Sequence, residues 1–437
     1  MLLSKVKQII AALIFLVIFD ALYLNYLAET FDYVGFYNND RGLSFRIMVY
    51  FLSVLPLAFA ANNNTACTFG INLIYAVTFL PSLLVIQYMS SKDNLYILMF
   101  SLILTANMII LFGANRLLLM RTSGLTNYVS SDILYRKIYK IMKISVVAII
   151  CILVIYFRDS MQFVALQDVY VLREASGEIQ IPKIVGYLNL FLTYSCIPFL
   201  IGYGLIYKRN LPIYLGLIAS LVVYATFGSK IALVIPIAIF ILHKILSNKN
   251  PLLALLVILS LVSFCLLIID LRGTPFEILK SIFAWRTLAN SGWMLEKYDE
   301  FFMIHGYTYW THIGIIGRFM EGEITENLQL GQLIGEHYFN DARANYSAGF
   351  WISDGVAAVG ILGIFVPTIV LSFFIITLNA LTRHLDYRLM SIWFIGLWLV
   401  IMNAPLSVGL IGGGGLLNFL WVAIISATMR KHRVIKT

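Results

Sequence analysis

The sequence predicts an all-α polytopic membrane protein with about twelve transmembrane helices and one large helical loop between the ninth and tenth spans. Three observations predict this class. The chain of 437 residues is 60% hydrophobic and only 12% charged, whereas soluble domains are about half apolar and a quarter charged. Apolar runs of membrane-spanning length recur along the chain. Lys and Arg are distributed unequally between the segments that connect these runs.

The apolar runs give the elements in order. The first run has no small-residue cleavage site after it, so we interpret it as a helix and not as a removed signal peptide. The predicted spans are 9–29, 44–61, 68–89, 94–115, 141–159, 184–207, 211–227, 230–247, 251–269, 350–377, 388–404 and 409–428. The chain therefore divides into 1–269 with spans one to nine, the extracytoplasmic loop 270–349, and 350–437 with spans ten to twelve and a cytoplasmic tail.

The basic residues indicate the orientation of these spans. With both termini in the cytoplasm, the cytoplasmic segments and their flanks hold 18 of the 31 Lys and Arg but only two of the 22 acidic residues. This is the distribution that the positive-inside rule predicts. The net charge of +9 is thus a signal of topology. No nucleic-acid partner is needed to explain it.

The topology limits where chemistry can occur. The cytoplasmic connections are short and carry no Walker or Rossmann glycine pattern, so we expect no nucleotide-driven reaction there. The loop 270–349 contains three of the six histidines, and we expect a reaction site in it. A bond-forming reaction on that side must use a substrate that arrives already activated. No metal-ligand spacing occurs, and the four cysteines lie in or beside apolar runs, so we predict no metal, no cofactor and no disulfide framework.

Five cations lie near the extracytoplasmic ends of spans or in the large loop: Arg158, Lys230, Arg272, Arg286 and Arg318. Arginine grips phosphate oxygens through two parallel hydrogen bonds and stays charged, which favours a phosphate-binding group. The alternative is that these side chains extend to lipid headgroups. The positive-inside rule disfavours cations on this side, so several of them together favour the functional interpretation. Arg272, directly after the ninth span, is the strongest candidate.

The loop 270–349 also contains a candidate general base. His337 follows Glu336, and a histidine beside a carboxylate can accept a proton near neutral pH. His305 is a second candidate, and Tyr338 belongs to a set of aromatic residues that could stack on sugars. The alternatives are ordinary loop residues and aromatic packing at the bilayer surface.

Two acidic residues belong to apolar spans. Asp354 lies at the outer start of the tenth span, where an ionisable group is a functional candidate. Asp20 lies within the first span, and we expect a tyrosine such as Tyr23 to bind it.

The architecture resembles that of the Wzy-type oligosaccharide repeat-unit (O-antigen) polymerases of the bacterial inner membrane. The resemblance covers the whole chain: about twelve spans, both termini inside and one large periplasmic loop late in the sequence. Three short motifs add to it, namely Gly-Ser-Lys at 228–230, Arg-Gly at 272–273 and Trp-Ile-Ser-Asp-Gly at 351–355. Lys230 stands where many relatives have arginine, which keeps a cation but loses its two-pronged geometry.

The resemblance implies a metal-independent, inverting glycosyltransferase. It implies that undecaprenyl-pyrophosphate-linked oligosaccharide serves as both donor and acceptor, within membrane lipid, and that a chain-length regulator and a flippase are partners. His337 or Glu336 would deprotonate the acceptor hydroxyl. Arg272, with Arg158, Arg286 or Arg318, would stabilise the leaving pyrophosphate. Three alternatives stay open: an O-antigen ligase, a lipid-linked oligosaccharide flippase or other transporter, and a non-catalytic scaffold.

Overall fold

A computed structural model of the chain describes residues 2–60, 64–117, 132–164, 169, 172, 181–271, 274, 276–317, 330–340 and 350–434. Every regular element in these ranges is helical. Eight helices are long and apolar enough to cross a membrane: Leu3–Thr30, Thr68–Met89, Asn94–Leu117, Tyr135–Phe157, Lys183–Ile206, Asn210–Phe227, Pro251–Ile268 and Ser353–Thr382. The predicted all-α class is therefore confirmed, and the eight apolar helices support a membrane protein. Each of the eight overlaps one of the twelve predicted spans.

The other four predicted spans are shorter or interrupted helices. The second corresponds to Leu43–Ala58 and the eighth to Lys230–Leu246, which has 17 residues. The eleventh divides into Tyr387–Trp393 and Ile395–Ile401, and the last into Leu406–Ile411 and Gly415–Val434. An α-helix rises about 1.5 Å per residue. A seven-residue helix therefore covers only about a third of the hydrocarbon thickness of a bilayer, about 30 Å.

The α-helices are α1 Leu2–Leu22, α2 Ala28–Thr30, α3 Leu43–Val54, α4 Thr68–Leu73, α5 Leu80–Met89, α6 Asn94–Leu117, α7 Asp132–Phe157, α8 Lys183–Phe191, α9 Ile197–Ile206, α10 Asn210–Phe227, α11 Lys230–Leu246, α12 Pro251–Ile268, α13 Glu277–Ser281, α14 Asn290–His305, α15 Gly314–Gly317, α16 Leu330–Phe339, α17 Ser353–Val359, α18 Phe365–Thr382, α19 Tyr387–Trp393, α20 Ile395–Ile401, α21 Leu406–Ile411 and α22 Gly415–Val434. Shorter 3-10 turns are Asp32–Val34, Leu55–Ala58 and Gly360–Ile364.

In the described part of the chain, four helical segments adopt the wider π form: Tyr23–Leu27, Ile74–Phe79, Leu192–Cys196 and Ile282–Ala289. The last of these contacts both of the first two. Trp285, in the last of these segments, packs against Phe31, with ring centroids 4.5 Å apart. Wide turns occur often at functional sites because they displace side chains from the regular helical register. The segment Ile282–Ala289 therefore packs against two other irregular helical segments.

The break between α20 and α21 leaves backbone carbonyls without partners in their own helix. Other elements supply the missing donors: the Trp351 amide donates to the Ile401 carbonyl at 2.8 Å, and the Ser291 hydroxyl donates to the Met402 carbonyl at 3.0 Å. A broken helix is stable in a membrane protein only where neighbouring protein groups satisfy the freed backbone. Ser291, at the start of α14, is one such group.

The segments that connect the helices form two groups, one at each end of α6, whose 24 residues span about 36 Å. We call the end where α6 begins the Lys92 end and the end where it finishes the Asn115 end. At the Lys92 end, the Asn39 amide donates to the Tyr88 carbonyl at 3.0 Å and the Trp293 indole donates to the Val34 carbonyl at 3.0 Å. At the Asn115 end, Asn379 donates to the Asn115 side-chain oxygen at 2.8 Å. Segments that the charge distribution assigns to one side therefore contact one another.

The segment 270–349, which the sequence predicts as a polar insert, contains a helix that is buried in the bundle. Every residue from Asn290 to Asp299 is buried, and α14 packs along α5. The contact is close because Gly292 has no side chain. A Cβ atom there would lie 2.8 Å from both the Ser82 Cα and the Val85 Cβ. The insert thus contributes to the core as well as to the loops.

Asp20 has different partners from the one expected. The Tyr50 and Tyr88 hydroxyls donate to its carboxylate at 2.6 and 2.5 Å, and an Arg46 nitrogen lies 3.7 Å away. The Tyr23 hydroxyl instead donates to the Tyr37 carbonyl at 2.8 Å. A tyrosine partner was the right chemistry, but the expectation of Tyr23 was wrong. The actual tyrosines come from α3 and α5, and contacts between distant helices cannot be read from neighbours in the sequence.

Candidate functional site

The strongest concentration of buried charge lies where α14 meets the short turn between α5 and α6. The Asp299 carboxylate is fully buried and forms an ion pair with the Lys92 ammonium. The Tyr96 hydroxyl lies 2.9 and 2.8 Å from the two Asp299 oxygens, and the Lys92 nitrogen lies 4.8 Å from the centre of the Tyr96 ring. A buried charge is tolerated when it is paired and hydrogen-bonded, and Asp299 meets both conditions.

Glu296 lies one turn earlier on α14 and completes what we call the buried ionic cluster: Lys92, Tyr96, Glu296 and Asp299. Glu296 is only 4% exposed. Its Oε2 atom has no hydrogen-bond partner among the described residues. Burial raises the pKa of Glu296 to about 7, and the Asp299 and Glu300 carboxylates act in the same direction, whereas Lys92 and a hydrogen bond to Ser90 oppose them. Glu296 can therefore exchange a proton near neutral pH.

Arg41 fixes the backbone from which Lys92 projects. Its guanidinium donates to the Gln87 carbonyl at 2.9 Å, the Ser90 carbonyl at 2.6 Å and the Lys92 carbonyl at 2.8 Å. These carbonyls lie at and just beyond the carboxyl end of α5, where a helix leaves acceptors unsatisfied and favours positive charge. Arg41 therefore holds the turn that carries Lys92 in a defined position.

Next to the buried ionic cluster is a second group that is partly exposed; we call Lys297, Glu300, His305, His337 and Tyr338 the surface cluster. Within it, Lys297 pairs with Glu300 at 3.1 Å and the Tyr338 hydroxyl donates to Glu300 at 2.9 Å. Burial opposes ionisation of Glu300, but the Lys297 ammonium and these hydrogen bonds outweigh it and lower the Glu300 pKa. Burial, together with Glu300, raises the pKa of Tyr338. Glu300 is thus an ionised acceptor and Tyr338 a neutral donor.

The two predicted histidine bases lie side by side in the surface cluster. The ring centroids of His305 and His337 are 4.8 Å apart, and that of His337 is 5.1 Å from Phe301. A His305 ring nitrogen lies 2.9 Å from the Phe301 carbonyl, which holds that ring against α14. His337 and its neighbour Glu336 are exposed on α16. The structure therefore brings the predicted residues His305, His337 and Tyr338 together beside the end of α14.

Asp354 belongs to a different contact. Its carboxylate lies 3.5 Å from the His312 Nε2 atom, and the Ser407 hydroxyl donates to it at 3.0 Å. The other His312 ring nitrogen lies 2.6 Å from the Thr308 hydroxyl. These contacts tie the chain after α14 to the starts of α17 and α21. These contacts suit a structural role of Asp354 as well as a functional one.

The described members of the predicted phosphate-binding group, Arg158, Lys230 and Arg286, are not brought together as the residues of the two clusters are. Arg286 lies 4.5 Å from the centre of the neighbouring Trp285 ring, and exposed Arg158 pairs with its neighbour Asp159 at 3.3 Å. Lys230 is the first residue of α11 and is half-buried. Arg272 and Arg318 lie outside the described residues. Among the residues that the structure describes, the contacts of Arg158 and Arg286 are local in sequence and do not include His337.

The sequence analysis missed the buried ionic cluster. Lys92 lies in the short connection between the third and fourth predicted spans, and Glu296 and Asp299 lie in the segment predicted as the extracytoplasmic loop. A signal was present: these two acids are three residues apart among the large apolar residues of 293–302, which is the spacing of one helical face. An acid on a helix that is apolar on its other faces predicts a buried, paired carboxylate.

The fold and the site define a helical membrane protein with an ionisable centre at one end of its helix bundle. Comparison with known proteins adds no relative: no protein-family model, no curated protein and no solved structure matches the chain.

Proposed function

We propose that this protein polymerises undecaprenyl-pyrophosphate-linked oligosaccharide repeat units by metal-independent, inverting glycosyl transfer. The observation that carries the proposal is the assembly at the Lys92 end. There, segments assigned by charge to the extracytoplasmic side surround α14 and place carboxylates, tyrosines and two histidines next to one another. A site on that side has no nucleotide as energy source and requires a pre-activated donor. A lipid pyrophosphate is such a donor.

In the proposed reaction, His337 or Glu336 accepts the proton of the acceptor hydroxyl, and that oxygen attacks the anomeric carbon of the donor from the face opposite the pyrophosphate. The bond between the anomeric carbon and the phosphate oxygen breaks, and its electron pair leaves with the pyrophosphate. Arg272, with Arg158, Arg286, Arg318 or Lys230, balances the charge that develops there. Fixed cations of this kind often make the largest catalytic contribution.

The same proposal assigns the protein to the bacterial inner membrane, with about twelve spans, both termini in the cytoplasm and the loop 270–349 in the periplasm. The charge distribution supports this orientation, because the Asn115 end collects the basic segments. The O-antigen ligases carry out the same chemistry with lipid A-core as acceptor. Acceptor choice therefore separates the two activities.

The test uses purified full-length protein in lipid nanodiscs with a lipid-linked repeat unit as both donor and acceptor. We expect a ladder of products on a gel. Replacing Arg272 by alanine should reduce the initial rate by about 10²–10³-fold, the usual cost of losing one charge-stabilising donor. Lys183→Ala, which removes an exposed cation at the start of α8, is the control and should leave the rate unchanged. A single transfer to added lipid A-core without a ladder would identify a ligase.

A second candidate, a lipid-linked oligosaccharide flippase, is favoured by the buried ionic cluster and by the break between α20 and α21. Buried charges and interrupted helices mark substrate paths in many transporters. Proteoliposomes that carry a fluorescent lipid-linked oligosaccharide in one leaflet distinguish the two functions. Accelerated translocation without formation of longer products would favour the flippase and contradict the polymerase.

A further inference from the structure

Glu296 is the one carboxylate of the buried ionic cluster whose charge is not balanced. The cluster holds two carboxylates, Glu296 and Asp299, and one ammonium, Lys92. Asp299 takes the ammonium directly and also the Tyr96 hydroxyl. Glu296 is left with a hydrogen bond to Ser90 and with an Oε2 atom that has no partner in the described part of the chain. A buried charge without a partner is costly, which favours a proton on Glu296.

Groups on every element around Glu296 influence whether its carboxyl group is ionised or protonated. The charged and titratable groups that interact with it are Lys92 in the turn after α5, Arg41 before α3, Tyr96 on α6, Tyr338 on α16, and Asp299 and Glu300 on its own helix. Lys92 and Arg41 favour the ionised form, whereas Asp299 and Glu300 oppose it. Both cations are already engaged, Lys92 by Asp299 and Arg41 by backbone carbonyls. Small changes nearby can therefore add or remove the Glu296 proton.

The surface cluster lies beside Glu296 on the same helix. Glu300 follows Glu296 by four residues, so the two carboxylates lie on one face of α14 and interact electrostatically. The Glu300 side chain is 39% exposed and accepts a hydrogen bond from Tyr338. Tyr338 contacts His337, with ring centroids 4.7 Å apart. Of these three neighbouring pairs, only Tyr338 and Glu300 share a hydrogen bond, whereas Glu296 and Glu300 interact through their charges and Tyr338 and His337 through their rings.

We propose that Glu296 is a proton store for the transfer reaction, taking up from the neighbouring surface cluster the proton that the acceptor hydroxyl loses. This rests on the proposed function. The proton balance is complete: the acceptor O–H bond breaks, its oxygen bonds to the anomeric carbon, the proton ends on the Glu296 carboxylate, and it is later released to water. Glu296 does not touch the substrate. It is a positioning residue that keeps the surface base ready for the next cycle.

The first test needs no substrate. Infrared difference spectra of the full-length protein in nanodiscs, recorded across a pH titration, should show the band of a protonated carboxyl group that disappears with a midpoint near pH 7. Glu296→Gln should remove this band. Glu29→Gln, which changes an exposed glutamate on the predicted extracytoplasmic side, should leave it unchanged. A spectrum of Glu296→Gln identical to that of the wild type would overturn the proposal.

The second test measures the initial rate of ladder formation against pH. The wild-type rate should rise through pH 7, because only ionised Glu296 can take a proton, and Glu296→Gln should lower the rate at least about tenfold and abolish this dependence. Glu296→Asp should restore the dependence. An unchanged profile in Glu296→Gln would overturn the proposal. If no variant forms a ladder while the infrared titration behaves as expected, the proposed polymerase function fails and the Glu296 proton site stands.

Discussion

At the scale of single residues, burial decides what a charge contributes. Asp299 and Asp159 both pair with a cation, but Asp299 is fully buried between helices, whereas the Asp159 side chain is 88% exposed. Water screens the exposed pair, which therefore contributes little to stability. Removing one partner of a buried pair leaves the other charge uncompensated, at a cost of about 3–5 kcal/mol.

The first prediction concerns this buried pair. Asp299→Asn should lower the free energy of unfolding at pH 7, by at most the about 3–5 kcal/mol that a fully buried pair would lose, because the Lys92 side chain, only 17% exposed, loses the carboxylate that it contacts. Thermal unfolding in detergent measures the change. Asp159→Asn is the matched control and should leave the melting temperature unchanged. The double variant Lys92→Met/Asp299→Asn should recover much of the loss. Equal melting temperatures for the two single variants would contradict the interpretation.

The second prediction concerns pH. The pKa of Glu296 in the folded protein is about 7, above its ordinary value of 4.5. The folded state therefore binds more protons than the unfolded state between these values, and the free energy of unfolding should fall as pH rises from 4.5 to 7. One pKa unit corresponds to about 1.4 kcal/mol, so the fall is on the order of 3 kcal/mol. In Glu296→Gln this part of the pH dependence should disappear. Denaturation midpoints of both proteins at a series of pH values would measure this difference. If the free energy of unfolding fell equally in the wild type and in Glu296→Gln, Glu296 would not be the group responsible.

The candidate site was predictable only in part at this scale. The pair Glu336–His337 and the residues His305 and Tyr338 were predictable because their types alone suggest proton transfer and sugar stacking. Lys92 and Asp299 were not, because they are about 200 positions apart and only the packing of α14 on α5 brings them together. Local sequence shows residue chemistry but not contacts between distant helices.

At the scale of elements, the organising piece is α14. The eight long spans were predictable because each is a long uninterrupted apolar run. The burial of α14 was not, because its acids and its lysine lower the local hydropathy to that of a loop. Its burial depends on two features that hydropathy does not measure, an intimate contact at Gly292 and the pairing of its charges. The break at Asn403-Ala404-Pro405 falls at the predicted boundary between the eleventh and twelfth spans, whereas the breaks at Phe394 and at 412–414 escaped prediction because the runs that contain them remain apolar on average.

The third prediction tests this packing. Gly292→Ala should destabilise the protein by about 1–3 kcal/mol, since its Cβ would lie 2.8 Å from the Ser82 Cα and backbone must move to admit it. Gly113→Ala is a matched control on α6, where a Cβ would meet nothing within 4 Å. Because alanine is the better helix former by about 1 kcal/mol, this control should unfold at the same or a higher temperature. Destabilisation by both variants alike would show that helix propensity and not the α5 contact is responsible.

At the scale of the whole molecule, the connecting segments separate into two ends. The Lys92 end includes Asn38 and α16, and the Asn115 end includes the segments around Lys208 and Asn248. The second grouping is visible in two contacts: the Tyr135 ring packs on Tyr207, and Gln8 donates to Asn250 at 2.8 Å. The buried ionic cluster and the surface cluster both lie at the Lys92 end. A membrane between the ends would therefore expose both clusters to one compartment.

The last prediction tests which compartment that is. In a variant without its own cysteines, single cysteines at Asn38, Asp159 and Glu336 should react with a membrane-impermeant maleimide on cells whose outer membrane is permeabilised. Cysteines at Lys208 and Asn248 should react only after the inner membrane is opened. All five positions are exposed on the protein, so a difference in labelling reports the membrane and not burial. The physical reason is the excess of Lys and Arg in the segments of the Asn115 end, which are retained in the cytoplasm. Labelling of Lys208 and protection of Glu336 would reverse the orientation, and a periplasmic transfer reaction at His337 would then be excluded.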